Sequence, residues 1–223
     1  MQNKIYIKEI FTSIQGEGNY IGYSQLFIRF SKCNLNCKYC DTDFKTDLKP
    51  YNSIELANIV NNTKYIHSVS LTGGEPLLDV VFLSEFLPLV NKKIYLETNG
   101  TLFENLSKII NYIDFISMDI KLDSSSFNGN LFNFHEKFIN VAIENKKEIF
   151  VKTVFDENIT EDEIKKIINL ISKYNIPLIL QPKTEGETIN ISSTIINDVF
   201  NKFNNQYQNV RLIAQMHKFI NVQ

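Results

Sequence analysis

The stretch Cys33-Asn34-Leu35-Asn36-Cys37-Lys38-Tyr39-Cys40 contains all three cysteines of the chain, spaced as C-x3-C-x2-C. A 4Fe–4S cluster has four irons and is normally held by four thiolates. Three thiolates on one short loop hold three corners of such a cluster and leave one iron open to a small molecule. An odd number of closely spaced cysteines is also unlike a disulfide framework. The spacing therefore predicts a 4Fe–4S site at Cys33, Cys37 and Cys40.

Zinc and ferredoxin sites fit these cysteines less well. A structural zinc site usually pairs its ligands as C-x2–4-C with a second pair far away, whereas His67, His135 and His217 stand singly and distant from the loop. A two-cluster ferredoxin has a different spacing and a fourth cysteine. A chance grouping of three structural thiols is the remaining alternative, and it is no better supported than zinc.

Around this loop the sequence predicts alternating strands and helices. Short runs rich in β-branched and aromatic residues are typical of buried parallel strands. The predicted strands are Gln25–Phe30, Ser68–Leu71, Ile94–Glu97, Phe115–Met118, Ile149–Val154, Pro177–Leu180 and Val210–Ile213. The predicted helix starts are Ser53, a capping box of Thr160 and Glu163, and Ser192 or Ser193. Asp79–Val90 is predicted to be a helix that Pro88 bends or shortens.

This order of elements predicts an α/β fold with a parallel sheet and right-handed crossovers. About six or seven βα units are too few for a closed eight-fold barrel, so a partial, open barrel and a doubly wound sheet both fit. Polar motifs follow successive strands: the cysteine loop, then Thr72-Gly73-Gly74-Glu75-Pro76, then Glu97-Thr98-Asn99-Gly100. Both folds place functional sites at that edge.

Composition limits the class of protein and its partners. The chain has 223 residues, no linker-like or repeated segment, 43% hydrophobic residues and a formal net charge of −2. We expect one domain over residues 1–223, no nucleic-acid partner and no membrane span, since no apolar run approaches about 20 residues. The N-terminus lacks a signal-peptide pattern, so a cytoplasmic protein is the expectation.

The chain resembles the radical S-adenosylmethionine superfamily. That superfamily is characterised by C-x3-C-x2-C after the first strand of a partial (βα)6 barrel, with an aromatic residue before the last cysteine, as Tyr39 is here. A second hallmark, GGEP, appears as Gly73-Gly74-Glu75-Pro76. The resemblance implies an open barrel of about six βα units, a 4Fe–4S cluster whose open iron binds S-adenosylmethionine, and binding of the methionine amino group at the GGEP turn.

A more specific resemblance is to the 7-carboxy-7-deazaguanine synthase family. The matching patches are Phe11–Gly18 with Ser-Ile-Gln-Gly-Glu-Gly, Phe27-Ile28-Arg29, Cys33–Thr42, Leu71–Pro76, Glu97–Gly100, Gln181-Pro182 and Gln215–Lys218. Two departures are Tyr39, where tryptophan is common, and Ser31-Lys32 before the first cysteine. The resemblance implies a radical lyase that converts 6-carboxy-5,6,7,8-tetrahydropterin to 7-carboxy-7-deazaguanine with loss of ammonia, in deazapurine and queuosine biosynthesis.

The residue types suit a flat, carboxylated heterocycle. Arg29 can hold a carboxylate in bidentate fashion, although a surface salt bridge would also account for it. The resemblance implies substrate contacts from Ile14, Gln15, Gly16 and Glu17, and one more from Thr72. It also implies that Thr42 binds Mg²⁺ through its hydroxyl, a hard oxygen ligand of the kind Mg²⁺ takes; the alternative role of Thr42 is a turn cap.

The remaining predicted contacts are with S-adenosylmethionine. The resemblance assigns them to the cysteine loop, the GGEP turn and the ends of two later strands: Tyr39, Cys40, Asp41, Gly74, Glu75, Ser117, Lys121, Gln181, Pro182, Lys183 and Thr184. His217 in the C-terminal Gln215-Met216-His217-Lys218 either closes the pocket or packs against the fold, and the sequence does not decide which.

Two further functional classes share the cysteine spacing. A glycyl-radical-enzyme activase has the same C-x3-C-x2-C and a small size, but it acts on a protein partner and has no need of Arg29 and Thr42. A non-enzymatic iron–sulfur carrier or sensor would not account for the GGEP turn, which would have no function in such a protein. For the pterin lyase the resemblance further implies a homodimer and a flavodoxin or ferredoxin as reductant.

Overall fold

The computed structural model describes residues 4–37, 40, 46–124 and 129–222. Its strands, in chain order, are β1 (Ile5–Ile14), β2 (Ser24–Phe30), β3 (Lys49–Tyr51), β4 (Ser68–Gly73), β5 (Ile94–Thr98), β6 (Phe115–Asp119), β7 (Glu148–Phe155), β8 (Leu178–Pro182), β9 (Thr184–Glu185), β10 (Thr188–Ile189) and β11 (Val210–Leu212). Its helices are α1 (Ser53–Asn62), α2 (Val80–Phe86), α3 (Phe103–Ile109), α4 (Phe132–Glu144), α5 (Glu161–Ser172), α6 (Ser193–Asn204) and α7 (Met216–Phe219).

Nine strands form one sheet in the order β11-β8-β7-β6-β5-β4-β2-β1-β3. From β2 to β11 every neighbouring pair is parallel, whereas β1 is antiparallel to both β2 and β3. All seven predicted strands are present within about two residues of their predicted ends. The antiparallel edge formed by β1 and β3 was not predicted.

The helices form one consecutive layer, in which each of α1 to α5 contacts the next. They cover the side chains of one face of the sheet, such as Ile94 and Leu96 of β5, in the main hydrophobic core. The opposite face carries a small second cluster of Tyr95, Phe115, Phe150 and Ile179. Because a doubly wound sheet has helices on both faces, this arrangement is an open partial barrel, and the predicted barrel is confirmed.

Local signals account for the helix ends. The Thr160–Glu163 capping box and the Ser192 cap are present as predicted. The cap of α1 is Asn52, not Ser53, because Asn52 forms a reciprocal capping box with Glu55. The predicted helix over Asp79–Val90 is shorter, since Pro88 lies in a 3-10 turn that follows α2. No helix in the described part of the chain is long and apolar enough to cross a membrane.

Candidate active site

The inner face of the barrel opens into a cavity of about 270 Å³ at the carboxyl ends of the parallel strands. The aromatic cluster around Tyr95 and Phe150 closes the barrel at its other end. Polar side chains lie above that cluster, because alternate residues of each strand point inward. Most of the predicted site residues line this one cavity: Ile14, Gln15, Gly16, Glu17, Arg29, Cys33, Cys37, Cys40, Thr72, Gly74, Lys121, Gln181, Lys183 and Thr184.

Three predicted site residues do not line the cavity: Glu75, Ser117 and Pro182. Ser117 is buried one inward position deeper than Asp119, which does line the cavity. Because side chains of β6 alternate, residues 117 and 119 share a face, and only the residue nearer the strand end reaches the opening. Tyr39, Asp41 and Thr42 lie outside the described residues.

The cysteine loop and the GGEP turn are joined by their backbones. The amides of Gly74 and Glu75 donate to the carbonyls of Phe30 and Lys32 at 3.1 and 2.7 Å. A Cβ at Gly74 would lie 1.9 Å from the Lys32 carbonyl oxygen, so only glycine fits there. The backbone of this turn therefore reaches the cavity directly beside Cys33.

The carboxylate of Glu75, predicted to contact S-adenosylmethionine, is held inside the fold in this structure and does not line the cavity. The side chain is fully buried and accepts hydrogen bonds from the amide of Leu77 (3.1 Å) and the amide of Asn99 (2.8 Å). The Thr98 hydroxyl lies 3.0 and 2.9 Å from its two oxygens. Burial raises the pKa of Glu75 to about 7, against the effect of these donors. Glu75 therefore ties the GGEP turn to the turn after β5.

Glu97 is a cavity-lining carboxylate that the predicted site residues did not include. It accepts hydrogen bonds from Gln15 Nε2 (2.9 Å), Ser70 Oγ (3.2 Å) and Thr72 Oγ1 (3.0 Å). These donors come from two different parts of the chain, the loop after β1 and strand β4, so they fix the carboxylate on the cavity wall. The sequence signal for Glu97 was its position in the Glu97-Thr98-Asn99-Gly100 motif, at the carboxyl end of the third parallel strand.

Lys152 is a second missed residue, and it lies 7% exposed on the inner face of β7. Its ammonium contacts the carboxylate of Glu17 and lies 3.7 Å from that of Asp119. Burial opposes ionisation of Glu17, but the Lys152 ammonium outweighs it and lowers the pKa of Glu17 to about 2. A lone charged residue in the otherwise uncharged run Ile149–Val154 is a sequence signal for such a buried ion pair.

Arg29 projects into the cavity from the end of β2. Its Nε donates to Glu9 Oε1 at 2.6 Å, and its guanidinium lies 5.7 Å from the ring centre of Phe11. The side chain is 27% exposed, and it is therefore accessible to a ligand. Arg29 is the cation predicted for a substrate carboxylate, and it is already oriented by neighbours on β1.

Two buried acceptors on the cavity wall lack a partner among the described residues: Asp119 Oδ1 and Gln181 Oε1. Buried acceptors are normally satisfied, so both indicate a ligand that carries hydrogen-bond donors. S-adenosylmethionine has such donors in its ammonium group, its ribose hydroxyls and its adenine amino group. These acceptors therefore fit that cofactor.

The three cysteines also fit an iron–sulfur cluster. All three carry reduced thiols that line the cavity, and Cys33 and Cys40 are exposed. Burial raises the pKa of Cys33, and the nearby charges of Glu75, Cys37 and Cys40 raise it further. A cationic cluster would relieve this repulsion. No three Cys, His, Asp or Glu side chains in the described ranges form the coordination shell of a single metal ion.

Comparison with known proteins identifies the class of this barrel and its cysteine site. Residues 27–190 match the Radical SAM superfamily, so the chain belongs to that superfamily of enzymes. Its cofactors are accordingly a 4Fe–4S cluster and S-adenosylmethionine, which the residues described above fit. The match begins in β2 and ends just after β10, and it therefore includes both the cysteine loop and the GGEP turn.

Full-length relatives define the family more narrowly. The chain is 36% identical over 242 residues to the 7-carboxy-7-deazaguanine synthase of Geobacter sulfurreducens, with 96% of each chain covered. It is 31% identical to that of Methanothermobacter thermautotrophicus, with 95% of each covered. The chain belongs to the 7-carboxy-7-deazaguanine synthase family. The crystal structure of QueE from Escherichia coli has the same fold, with a TM-score of 0.62, 20% identity and 96% and 95% of the two chains covered.

Proposed function

We propose that this protein converts 6-carboxy-5,6,7,8-tetrahydropterin to 7-carboxy-7-deazaguanine with loss of ammonia, in the synthesis of queuosine or a related deazapurine. The observation that supports this most directly is a pair of opposite charges in one cavity. Arg29 and Glu97 lie on the inner faces of β2 and β5, in the cavity that the three cysteines also line. A carboxylated pterin has a carboxylate for Arg29 and a guanidine-like edge for Glu97.

In this proposal the chain's own residues bind and orient the pterin. The terminal nitrogens of Arg29 hold the substrate carboxylate, and Glu97, fixed by Gln15 and Thr72, accepts from the N–H groups of the opposite edge. The Glu17 carboxylate is engaged by Lys152, so the backbone of the Gln15–Glu17 loop is the part of that loop available to the substrate. When bound, the cluster held by Cys33, Cys37 and Cys40 and the S-adenosylmethionine beside it would supply the radical chemistry that removes hydrogen from the substrate.

We further propose which residues hold S-adenosylmethionine. The backbone of Gly74 lies beside the cysteine loop, and Gln181 and Asp119 carry the cavity-wall acceptors that lack a partner in the described part of the chain. Lys121 donates to Asp119 Oδ2 at 2.8 Å and fixes that carboxylate. Lys183 and Thr184 follow Gln181 along the cavity wall.

The proposal also includes a second metal, a reductant, an assembly state and a location. The hydroxyl of Thr42 contributes to a Mg²⁺ site, and a flavodoxin or ferredoxin reduces the cluster. The enzyme acts as a homodimer, and it works in the cytoplasm as a single domain.

The test is a turnover assay on the anaerobically reconstituted protein with pterin, S-adenosylmethionine, Mg²⁺ and a reductant, followed by mass analysis. We expect 7-carboxy-7-deazaguanine to form. Arg29→Ala should lower turnover by about 100-fold or more, because losing one partner of a desolvated ion pair costs about 3–5 kcal/mol. Arg29→Lys should restore little of the turnover that Arg29→Ala loses, since an ammonium lacks the planar guanidinium that binds a carboxylate through two parallel hydrogen bonds. Slow uncoupled cleavage of S-adenosylmethionine should continue in both variants.

Absence of the deazaguanine product, with S-adenosylmethionine still cleaved, would contradict the proposal and favour another substrate, such as the protein partner of a glycyl-radical activase. Equal loss of coupled and uncoupled cleavage in Arg29→Ala would mean that Arg29 serves the cluster or the fold.

A further inference from the structure

The pairing of β1 with β2 contains a β-bulge directly beside Arg29. Ile7 pairs with Phe30, but the next pair is Glu9 with Arg29, so one additional residue, Lys8, is inserted in β1. Residues directly opposite each other in an antiparallel pair share a face of the sheet. A one-residue shift moves every later side chain to the other face. The bulge therefore places Glu9, rather than Lys8, on the inner face with Arg29.

The same shift brings an aromatic pair beside the guanidinium. Phe11 pairs with Phe27, and their rings stack with centres 5.2 Å apart and planes 10° apart. Both rings line the cavity, and the Arg29 guanidinium lies over Phe11. Glu9 accepts a hydrogen bond from Arg29 Nε, which limits rotation of the guanidinium. The ring of Phe11 packs against the face of the guanidinium and limits the angle of its plane. Because Arg29 lines the cavity and its Nε is engaged by Glu9, we take the terminal nitrogens as the part of the guanidinium that a ligand meets.

We propose that Glu9 is a positioning residue, which aims the terminal edge of Arg29 at the substrate carboxylate through the bulge at Lys8. This inference rests on the proposed function, because it takes the ligand of Arg29 to be a carboxylated pterin. It predicts that removal of Glu9 weakens binding of the substrate carboxylate. A carboxylate beside Arg29 could equally compete with the substrate, in which case its removal would strengthen binding.

The pair is suited to mutation. The side chains of Arg29 and Glu9 are 27% and 33% exposed, and ion pairs with such access to water contribute little to folding stability. Removal of Glu9 should therefore leave the fold intact. Glu136 provides a matched control, because it forms an ion pair with Lys173 at 2.5 Å in the helical layer and is 39% exposed.

The experiment measures equilibrium binding of two oxidised, unreactive pterins to the anaerobically reconstituted protein with S-adenosylmethionine. One pterin carries the 6-carboxylate and the other lacks it. Glu9→Ala should weaken binding of the carboxylated pterin by about tenfold, the scale of one hydrogen bond to a charged group, and leave the other pterin unchanged. Glu9→Gln, which keeps an acceptor for Nε, should lose less, and Glu136→Ala should lose nothing.

In turnover, Glu9→Ala should raise KM for the substrate more than it lowers kcat. In an Arg29→Ala background Glu9→Ala should have no further effect, since a positioning residue acts only through the residue it positions. Tighter binding in Glu9→Ala, equal loss for both pterins, or no change would each overturn the inference. Failure of the parent protein to prefer the carboxylated pterin would overturn the proposed function as well, so the two failures are distinguishable.

Discussion

Replacement of Glu75 by glutamine tests whether the GGEP carboxylate holds the fold or binds a ligand. The side chain is fully buried and its two oxygens accept from Leu77 N, Asn99 N and Thr98 Oγ1. Glutamine keeps one acceptor and directs an N–H₂ group at a backbone N–H. One buried donor then loses its partner and faces another donor.

The expected cost follows from these contacts. An unsatisfied buried donor costs about 1–3 kcal/mol, and we take the upper end because the glutamine N–H₂ group also faces a second donor. For a domain of this size, about 3 kcal/mol corresponds to a fall in Tm of roughly 6–12 °C. Thermal unfolding of the protein, with and without the reconstituted cluster, measures this directly. Glu144→Gln, the same change at an exposed position of α4, should stay within about 0.5 kcal/mol of the parent.

Unchanged unfolding of Glu75→Gln, together with a large rise in KM for S-adenosylmethionine, would refute this reasoning. That result would mean that the carboxylate faces the cofactor, as the superfamily resemblance implies. Loss of stability with little change in cofactor affinity would confirm the structural role.

Three further predictions concern the cluster, the metal and pH. Cys33→Ala, Cys37→Ala and Cys40→Ala should each lose the cluster, measured as iron and sulfide after anaerobic reconstitution, and a variant that retains four irons would contradict the assignment. Thr42→Ala should weaken the Mg²⁺ dependence of turnover with cluster content unchanged; an identical Mg²⁺ response would make Thr42 a cap. Burial lowers the pKa of His135 to about 4, so between pH 6.5 and 4 the unfolded chain takes a proton that the folded chain does not. The free energy of unfolding should fall over that window by about 3 kcal/mol, and His135→Gln, compared by urea unfolding, should lose that part of the slope.

The parallel strands and the location of the site were predictable for a physical reason. Strands buried on both faces are continuous apolar runs, and the carboxyl ends of such strands meet at one edge. The cysteine loop, the GGEP turn and the Glu97–Gly100 motif each stand at the carboxyl end of a strand, so they were expected to lie together. The structure places Cys33, Gly74 and Glu97 around one cavity. The choice between barrel and doubly wound sheet needed the positions of the helices, which strand patterns do not contain.

The features that sequence reasoning missed depend on register and side-chain direction. The bulge at Lys8 interrupts the alternation of β1, so Ile5–Ile14 has no clean period of two. Ser117 and Asp119 are two residues apart on β6, so their side chains lie on the same face of the sheet. Only the position of the strand's end shows which of them reaches the cavity. Glu75 follows two glycines, and the sequence alone does not indicate that its carboxylate points into the fold.

The C-terminal segment shows how a question left open by sequence is decided by packing. His217 was expected either to close the pocket or to pack against the fold, and it does both. A Cβ at Gly16 would lie 2.4 Å from His217 Nδ1, and Met216 N donates to Gly16 O at 2.9 Å. Gln215 Nε2 donates to Glu17 at 2.6 Å. The loop after β1 and the C-terminal segment are therefore one wall of the cavity, held by contacts between opposite ends of the chain. Any side chain larger than hydrogen at Gly16 should displace His217, and with it that wall.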